Sequence, residues 1–246
     1  MMKIRGPARV EGSPMLRSLA LVVAVAATAT PVFAAPGTGS ITGSVKWKGE
    51  APAVATVDRS SDPVCAATAR GKDDVLVTDG KLRDVVVRIT AGAVVPATAP
   101  TTPVVIAQSE CMYAPRVSVA IAGQSLEVRN LDNTFHNVRG NRLAKVLWNL
   151  GQPKGAPPIV RDLKAVAAGE VISLHCDVHP WMAAWVVVSD HAAFAVTGAD
   201  GAFTLRDLAP GTYTVEAWHP TLGKKTAKVK VKKGKPSKLS FTFAAP

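Results

Sequence analysis

The sequence has few aromatic residues and no long stretch with helical periodicity. Aromatic side chains make up 5% of its 246 residues, whereas glycine and proline together number 37. No run of 12 or more residues repeats apolar side chains at helical spacing, which argues against a fold of long helices. Valine, alanine and threonine are frequent, and this mixture favours short strands joined by tight turns. The sequence therefore predicts an all-β fold of about one or two domains.

An apolar run near the N-terminus, Leu19 to Ala27, is too short to span a bilayer comfortably. It follows a basic stretch, and Val32-Phe33-Ala34 suits cleavage before Ala35. The pattern predicts a signal peptide over residues 1–35, a periplasmic or secreted protein, and no stable membrane span after cleavage. A membrane anchor is the alternative. Met15-Leu16-Arg17 is a more ordinary start for an export signal than residues 1–14, which predicts translation from Met15.

Acidic residues are scarce relative to basic ones, and the formal net charge is +11. Cleavage after residue 35 would remove four basic residues and one acidic residue, which leaves +8. Such a charge favours an acidic partner or an anionic membrane surface, and export argues against nucleic acid. The alternative is that the charge only aids solubility. Eight lysines fall between residues 224 and 238. They are interpreted as a solvated strand face, with a docking patch as the alternative.

Cysteine is also rare, and the three present, Cys65, Cys111 and Cys176, make an odd number. An odd cysteine in an exported protein needs an explanation. We expect a disulfide between Cys65 and Cys111, which leaves Cys176 as a thiolate held by a metal ion. Buried free thiols are the alternative for the first two.

The stretch from His175 to Met182 places a thiolate donor, an imidazole and a thioether within a few residues, at Cys176, His179 and Met182. Two imidazoles, one thiolate and a weak axial methionine form the ligand set of a mononuclear copper site that transfers single electrons. His136 is the candidate for the second imidazole. Pro180 would stiffen the turn that returns Met182 towards the metal.

Other interpretations of these residues remain open. Zinc also binds cysteine and histidine, although structural zinc sites rarely include a thioether. Met182 could be an ordinary core methionine. His175, beside the cysteine, could bind a second copper ion in an oxidase or reductase, but only His191 and His219 are left to complete such a site. We interpret His175 as a strand residue that faces solvent and His219 as structural.

Residues 103–190 resemble a known family at these positions. Cys176-x-x-His179-Pro180-Trp181-Met182 resembles the ligand loop of amicyanin- and plastocyanin-type cupredoxins, and His136-Asn137-Val138 resembles the first-ligand segment of plastocyanins. The resemblance implies a Greek-key β-sandwich in which Asn137 joins the two ligand loops by hydrogen bonds. It also implies that His179 lies near the surface as the electron exit, and that Pro180 and Trp181 belong to an apolar docking patch.

The flanking segments resemble a different family. Ile41-Thr42-Gly43-Ser44-Val45 and the stretch from Asp200 to Val215 are similar to the carboxypeptidase regulatory-like β-sandwich, a prealbumin-like domain without catalytic residues. We therefore predict a signal peptide (1–35), first sandwich strands (36–102), a cupredoxin copper domain (103–190) and remaining sandwich strands (191–246). The cupredoxin is expected as an insertion in the sandwich. The alternative is two separate N-terminal strands that pack on the cupredoxin.

The functional expectation is a non-enzymatic type 1 copper protein that carries single electrons as copper cycles between Cu(I) and Cu(II). Its partner would be a redox protein, either an acidic one or a c-type cytochrome. A copper carrier or sensor without turnover is the alternative. A copper oxidase or reductase is the third hypothesis. It would require the second metal site discussed for His175.

Overall fold

Strands dominate the part of the chain that the computed structural model describes, residues 38–245. Those residues all belong to one unit, Ala34–Pro246. They contain eighteen strands and one short helix, α1 (Pro63–Ala66), so the predicted all-β fold is confirmed. The signal peptide predicted for residues 1–35 lies outside the described residues. None of the helices in 38–245 has the length and apolar character needed to cross a bilayer.

The strands fall into three groups along the chain. The first group is β1 (Gly39–Lys48), β2 (Val77–Thr78), β3 (Lys81–Leu82) and β4 (Val86–Ala91). The middle group is β5 (Val104–Ser109), β6 (Met112–Ala114), β7 (Val117–Ile121), β8 (Ser125–Asn130), β9 (His136–Arg142), β10 (Lys145–Gln152), β11 (Ile159–Asp162), β12 (Val171–His175) and β13 (Ala183–Ser189). The last group is β14 (Phe194–Val196), β15 (Ala202–Leu208), β16 (Gly211–His219), β17 (Gly223–Val231) and β18 (Pro236–Ala244).

The first and last groups together form two sheets, called the outer sandwich. Strand β1 pairs antiparallel with β15 and parallel with β18, and β3 and β2 extend that sheet. The other sheet has the order β14-β4-β16-β17. Strands before residue 92 therefore share both sheets with strands after residue 193, which is the arrangement that the insertion hypothesis requires. The exact domain boundaries stay a prediction.

Alternation along β1 shows why these residues form a strand of the outer sandwich. Ile41, Val45 and Trp47 are buried, and Lys46 and Lys48 between and after them are exposed, as expected when successive side chains point to opposite faces. A Cβ atom at Gly43 would overlap the carbonyl group of Leu239 on β18, so glycine permits this close parallel pairing. The core between the two sheets is a single apolar cluster that also includes Leu205, Tyr213, Val215 and Phe241.

The middle group forms a second pair of sheets, the middle sandwich. Their orders are β10-β9-β12-β13-β7 and β11-β8-β5-β6. Their shared core contains Ile106, Leu126, Val138, Ile172 and Leu174, all with 0% exposure. Strands β9 and β12 are direct neighbours. The start of β9 and the end of β12 therefore lie side by side, and these are the positions of the predicted metal ligands.

The two sandwiches meet at a smaller apolar cluster. Val86 of β4 packs there with Val117 and Val187, and Trp185 and Trp218 lie against them. The guanidinium of the buried Arg116 lies 4.5 Å from the ring centre of Trp185.

Strand β17 is an edge strand of the outer sandwich, and its lysines are exposed, as the interpretation of a solvated strand face expects.

The long segment between β1 and β2 does more than join two strands. It contains the single turn α1, and its Cys65 belongs to the core of the middle sandwich rather than to that of its own sandwich. The segment therefore crosses from the outer sandwich onto the middle one, close to the ligand positions.

Candidate metal centre

Neighbouring ends of two strands deliver the predicted ligands. His136 is the first residue of β9, and Cys176 follows the last residue of β12. His179 and Met182 lie in the loop that runs from Cys176 to the start of β13. That loop is closed by two backbone hydrogen bonds, because Met182 N–H donates to the His179 carbonyl (2.9 Å) and Cys176 N–H donates to the Met182 carbonyl (3.3 Å). The paired strands and the closed loop hold the donors in place.

Three donor atoms converge at one point. Nδ1 of His136 lies 2.9 Å from Nδ1 of His179, and Sγ of Cys176 lies 3.9 Å and 3.7 Å from those two nitrogens. The side chains are 0%, 0% and 2% exposed for His136, His179 and Cys176. Met182 is also fully buried, in the same apolar cluster as Cys176. The structure thus brings the predicted thiolate and imidazoles together and places the methionine in the core beside the cysteine.

Asn137 joins the two ligand segments. Its side-chain oxygen accepts hydrogen bonds from the N–H groups of Asp177 (2.6 Å) and Val178 (3.4 Å), and its own N–H donates to Sγ of Cys176 (3.5 Å). Its side-chain NH₂ donates to Asn149 (2.7 Å). These are the bonds that the cupredoxin resemblance implies for this residue.

Each imidazole is anchored by a carboxylate on its outer nitrogen. Nε2 of His136 lies 2.9 Å from Oδ2 of Asp132, and Nε2 of His179 lies 3.0 Å from Oδ2 of Asp62. Such partners fix the ring orientation and the tautomer of a metal-binding histidine. The sequence analysis missed both. Asp132 stands four residues before His136 and could have been suspected, whereas Asp62 is 117 residues from His179 and no local pattern marks it.

His179 does not reach the surface. The resemblance implied that His179 lies near the surface as the electron exit. Its side chain is fully buried, with Asp62 and Cys65 over its Nε2 edge, and its role as the exit stays a prediction. Sγ of Cys65 is 3.6 Å from that nitrogen. Of the predicted docking patch, Pro180 is exposed and Trp181 is half-buried. The indole N–H of Trp181 donates to the Cys111 carbonyl (3.0 Å).

Cys65 and Cys111 form a disulfide that closes a separation of 46 residues, and Cys176 is the free cysteine of the described part. The bridge fastens the segment around α1 to the turn between β5 and β6. It also adjoins both carboxylates, since Asp62 accepts from Cys65 N–H (3.3 Å) and Asp132 accepts from Cys111 N–H (2.9 Å).

The electrostatics of the site favour a cation. Burial disfavours the imidazolium of His136, but hydrogen bonds to Asp132 and Cys176 outweigh it and raise its pKa to about 9. Burial lowers the pKa of His179 despite its bond to Asp62. Burial disfavours the Cys176 thiolate, yet His136 and backbone N–H groups lower the pKa of this thiol below its ordinary value. Metal binding at these donors would therefore release protons.

The donor set fits a transition metal. Metal–nitrogen and metal–sulfur bonds of about 2.0 and 2.3 Å, opened by about 120°, span roughly 3.7 Å between nitrogen and sulfur, close to the observed 3.7 and 3.9 Å. The two nitrogens are closer than the roughly 3.5 Å expected of such bonds. Thiolate and thioether with two imidazoles suit copper in both oxidation states, whereas structural zinc sites use cysteine and histidine.

The remaining histidines lie elsewhere. Within residues 38–245, each group of three or more histidine, cysteine or acidic side chains with metal-binding spacing includes His136 or His179. His175 is the last residue of β12 and is half-buried, with its ring centre 6.5 Å from that of Trp185. His191 is buried and donates from Nε2 to the Ile89 carbonyl (3.0 Å). His219 is buried, which lowers its pKa to about 4.

Comparisons with known proteins gave one family match and several partial structural alignments. A family model of the carboxypeptidase regulatory-like domain matches residues 169–244, which include β12 and β13 as well as the whole last group of strands. No curated protein aligns significantly with this chain.

Several solved cupredoxin structures align with part of the chain. A purple cupredoxin from Nitrosopumilus maritimus covers 35% of this chain and 99% of its own, at 21% identity and a TM-score of 0.29. Amicyanin from Paracoccus versutus covers 42% and 97%, at 20% identity and 0.31. A copper-containing nitrite reductase from Thermus scotoductus covers 41% and 25%, at 19% identity and 0.29. At these values the donor geometry, and not the alignment, carries the functional proposal.

Proposed function

We propose that the protein binds one copper ion at His136, Cys176, His179 and Met182 and transfers single electrons between redox partners. One observation carries the proposal: two imidazole nitrogens and one thiolate sulfur lie within 3.9 Å of one another in a buried site. The methionine of the same loop supplies the weak fourth donor of a type 1 copper site.

The residues of this chain have distinct roles in that function. Copper, when bound, supplies the reversible Cu(I)/Cu(II) couple. The closed loop from Cys176 to Met182 and the hydrogen bonds of Asn137 keep the donors in one arrangement, so that little reorganisation is needed between oxidation states. Asp132 holds the ring of His136. Complete burial of the donors excludes water, which would otherwise compete as a ligand.

A titration of the apoprotein with Cu(II), followed by optical and EPR spectroscopy, tests the proposal. We expect an intense blue thiolate-to-copper band that saturates at one equivalent, with narrow copper hyperfine splitting. The Cys176→Ala variant should lack the band, while a Cys65→Ser/Cys111→Ser variant should retain it. An unchanged spectrum in Cys176→Ala would show that the ligand assignment is wrong.

A copper carrier or sensor is the second candidate, and the burial of His179 favours it. An electron carrier needs a short path from the metal to its partner, and here Asp62 and Cys65 cover the imidazole edge that would offer it. Reversible cycling of the copper form with ferricyanide and ascorbate separates the two functions. A colourless Cu(I) form that ferricyanide cannot oxidise would support the carrier.

We propose no catalytic turnover. A second copper ion at His175 would need further imidazoles, and in the described part of the chain His191 is hydrogen-bonded elsewhere and His219 accepts backbone N–H groups at Nδ1. A second copper signal in EPR would revive an oxidase or reductase.

We also propose export to the periplasm or the exterior after cleavage near residue 35, and a redox partner that is acidic or a c-type cytochrome. The excess of basic residues supports an acidic partner. Pro180 and Trp181 would lie at the docking patch, and the copper domain would span residues 103–190. Co-migration of the copper protein with candidate partners at low and high salt tests whether opposite charges hold the complex together. Such a complex should form at low salt and weaken at high salt.

A further inference from the structure

Asp62 makes four hydrogen bonds to groups from three parts of the chain. Its Oδ1 accepts from the N–H groups of Val64 (2.8 Å) and Cys65 (3.3 Å), which caps the first turn of α1. Its Oδ2 accepts from the Thr134 hydroxyl (2.7 Å) and lies 3.0 Å from Nε2 of His179. Asp62 belongs to the outer sandwich segment, so the candidate metal centre is not complete within residues 103–190.

The segment that carries Asp62 is held on both sides of it. The Cys65–Cys111 disulfide lies three residues after Asp62. Three residues before it, the guanidinium of Arg59 donates to the carbonyls of Thr68 (2.8 Å) and Glu110. Arg59 is 4% exposed, and its guanidinium lies 5.8 Å from the ring centre of Trp181. The carboxylate is therefore fixed over the imidazole by covalent, polar and packing contacts together.

The position of Asp62 determines which nitrogen of His179 faces the centre. A carboxylate accepts hydrogen bonds and cannot donate when ionised. Nε2 of His179 must therefore carry the proton, which leaves the lone pair of Nδ1 directed at Nδ1 of His136 and Sγ of Cys176. Asp132, four residues before His136, holds Nε2 of that imidazole at 2.9 Å.

We propose that Asp62 is a positioning residue for the metal centre: it fixes the tautomer and ring orientation of His179 and closes its Nε2 edge to solvent. The inference rests on the proposed copper function only for its effect on metal binding, because the contact with His179 exists without metal. Carboxylates in this position make the ligand imidazole more basic, and their loss typically weakens metal binding by about 10–100-fold.

The test compares Asp62→Asn with Asp58→Asn. Asparagine is as good an N-cap residue as aspartate, so α1 keeps its cap while the anion facing Nε2 is removed. Asp58 is exposed in the same segment and accepts a hydrogen bond from Ser60 N–H (3.0 Å). Two readouts apply: ¹⁵N NMR of the His179 ring in the apoprotein, and the Cu(II) dissociation constant with the reduction potential of the copper form.

We expect wild type and Asp58→Asn to show a protonated Nε2 and an unprotonated Nδ1 at His179. In Asp62→Asn this tautomer should no longer dominate, Cu(II) binding should weaken about 10–100-fold, and the reduction potential should rise because a negative charge beside the ligand is lost. Unchanged tautomer, affinity and potential in Asp62→Asn would overturn the inference. If wild type binds no copper, the proposed function fails, and the NMR comparison still decides the role of Asp62.

A second variant guards against misfolding of Asp62→Asn. Thr134→Val removes one hydrogen bond to Oδ2 and leaves the carboxylate and the cap in place. The Nε2-protonated tautomer of His179 should stay dominant, and Cu(II) binding should not weaken as it does in Asp62→Asn. Loss of that tautomer in a folded Thr134→Val protein, as complete as in Asp62→Asn, would contradict the positioning role of the carboxylate.

Discussion

Nδ1 of His136 lies 2.9 Å from Nδ1 of His179, in a site from which both rings exclude water. Two imidazole nitrogens at this distance form a hydrogen bond in which one carries a proton and the other accepts it. With its pKa raised to about 9, His136 is protonated at neutral pH and donates to His179 through Nδ1 and to Asp132 through Nε2. In the apoprotein this proton therefore lies between the same nitrogen atoms that are the candidate metal donors.

This arrangement predicts a pH-dependent stability of the apoprotein. The pKa of His136 is raised from 6.5 to about 9 on folding, so its contribution is complete below about pH 6.5 and is lost as the pH rises through 9. The free energy of unfolding should fall by up to about 3 kcal/mol over that range. Urea unfolding at a series of pH values measures it. His136→Gln should lack most of this dependence, and an equal dependence in both proteins would count against the shared proton.

Asn137→Ala should loosen the ligand loops. The substitution removes the acceptor for the N–H groups of Asp177 and Val178. These two bonds join the loop after Cys176 to β9. We expect a loss of about 1–3 kcal/mol in unfolding free energy and a broadened copper EPR spectrum. Asn133→Ala, at an exposed position of the preceding turn, is the control and should change neither. Equal behaviour of the two variants would refute the linking role of Asn137.

Removal of the disulfide should expose His179. For a separation of 46 residues, the chain-entropy estimate of the lost stability is about 4 kcal/mol. In Cys65→Ser/Cys111→Ser the segment around α1 should open more often, and diethyl pyrocarbonate should modify His179 faster, as read by peptide mass spectrometry. Ser60→Ala/Ser61→Ala, exposed in the same segment, is the control. If diethyl pyrocarbonate modifies His179 no faster after removal of the disulfide, the burial of His179 does not depend on that bridge.

Met182→Leu tests the fourth ligand. Leucine preserves most of the buried volume but removes the thioether, so the blue band should persist and the reduction potential should rise as a weak axial donor is lost. Cyclic voltammetry of both proteins gives the comparison. An unchanged potential with an intact fold would assign Met182 to the core alone.

The donors could be found from the sequence because their spacing is local. Cys176, His179 and Met182 lie within one loop, and His136-Asn137 is a short motif of its own. The all-β fold also followed from local features, since alternation of buried and exposed residues in strands such as β1 requires no knowledge of the partner strand.

The cover over His179 could not be predicted in the same way. It depends on the path of the segment between β1 and β2, which leaves its own sandwich and packs Cys65 into the other core. A carboxylate such as Asp62, in a loop rich in small polar residues, has no sequence pattern that distinguishes it from an exposed one. The family resemblance could not have predicted this cover, because it described residues 103–190 and not the segment that lies upon them.

Copper-edge anomalous diffraction from crystals of the copper-loaded protein tests the central claim most directly. We predict one anomalous peak per molecule, within bonding distance of Nδ1 of His136, Nδ1 of His179 and Sγ of Cys176. A peak bound by other residues, or none at these three atoms in a fully loaded crystal, would contradict the account.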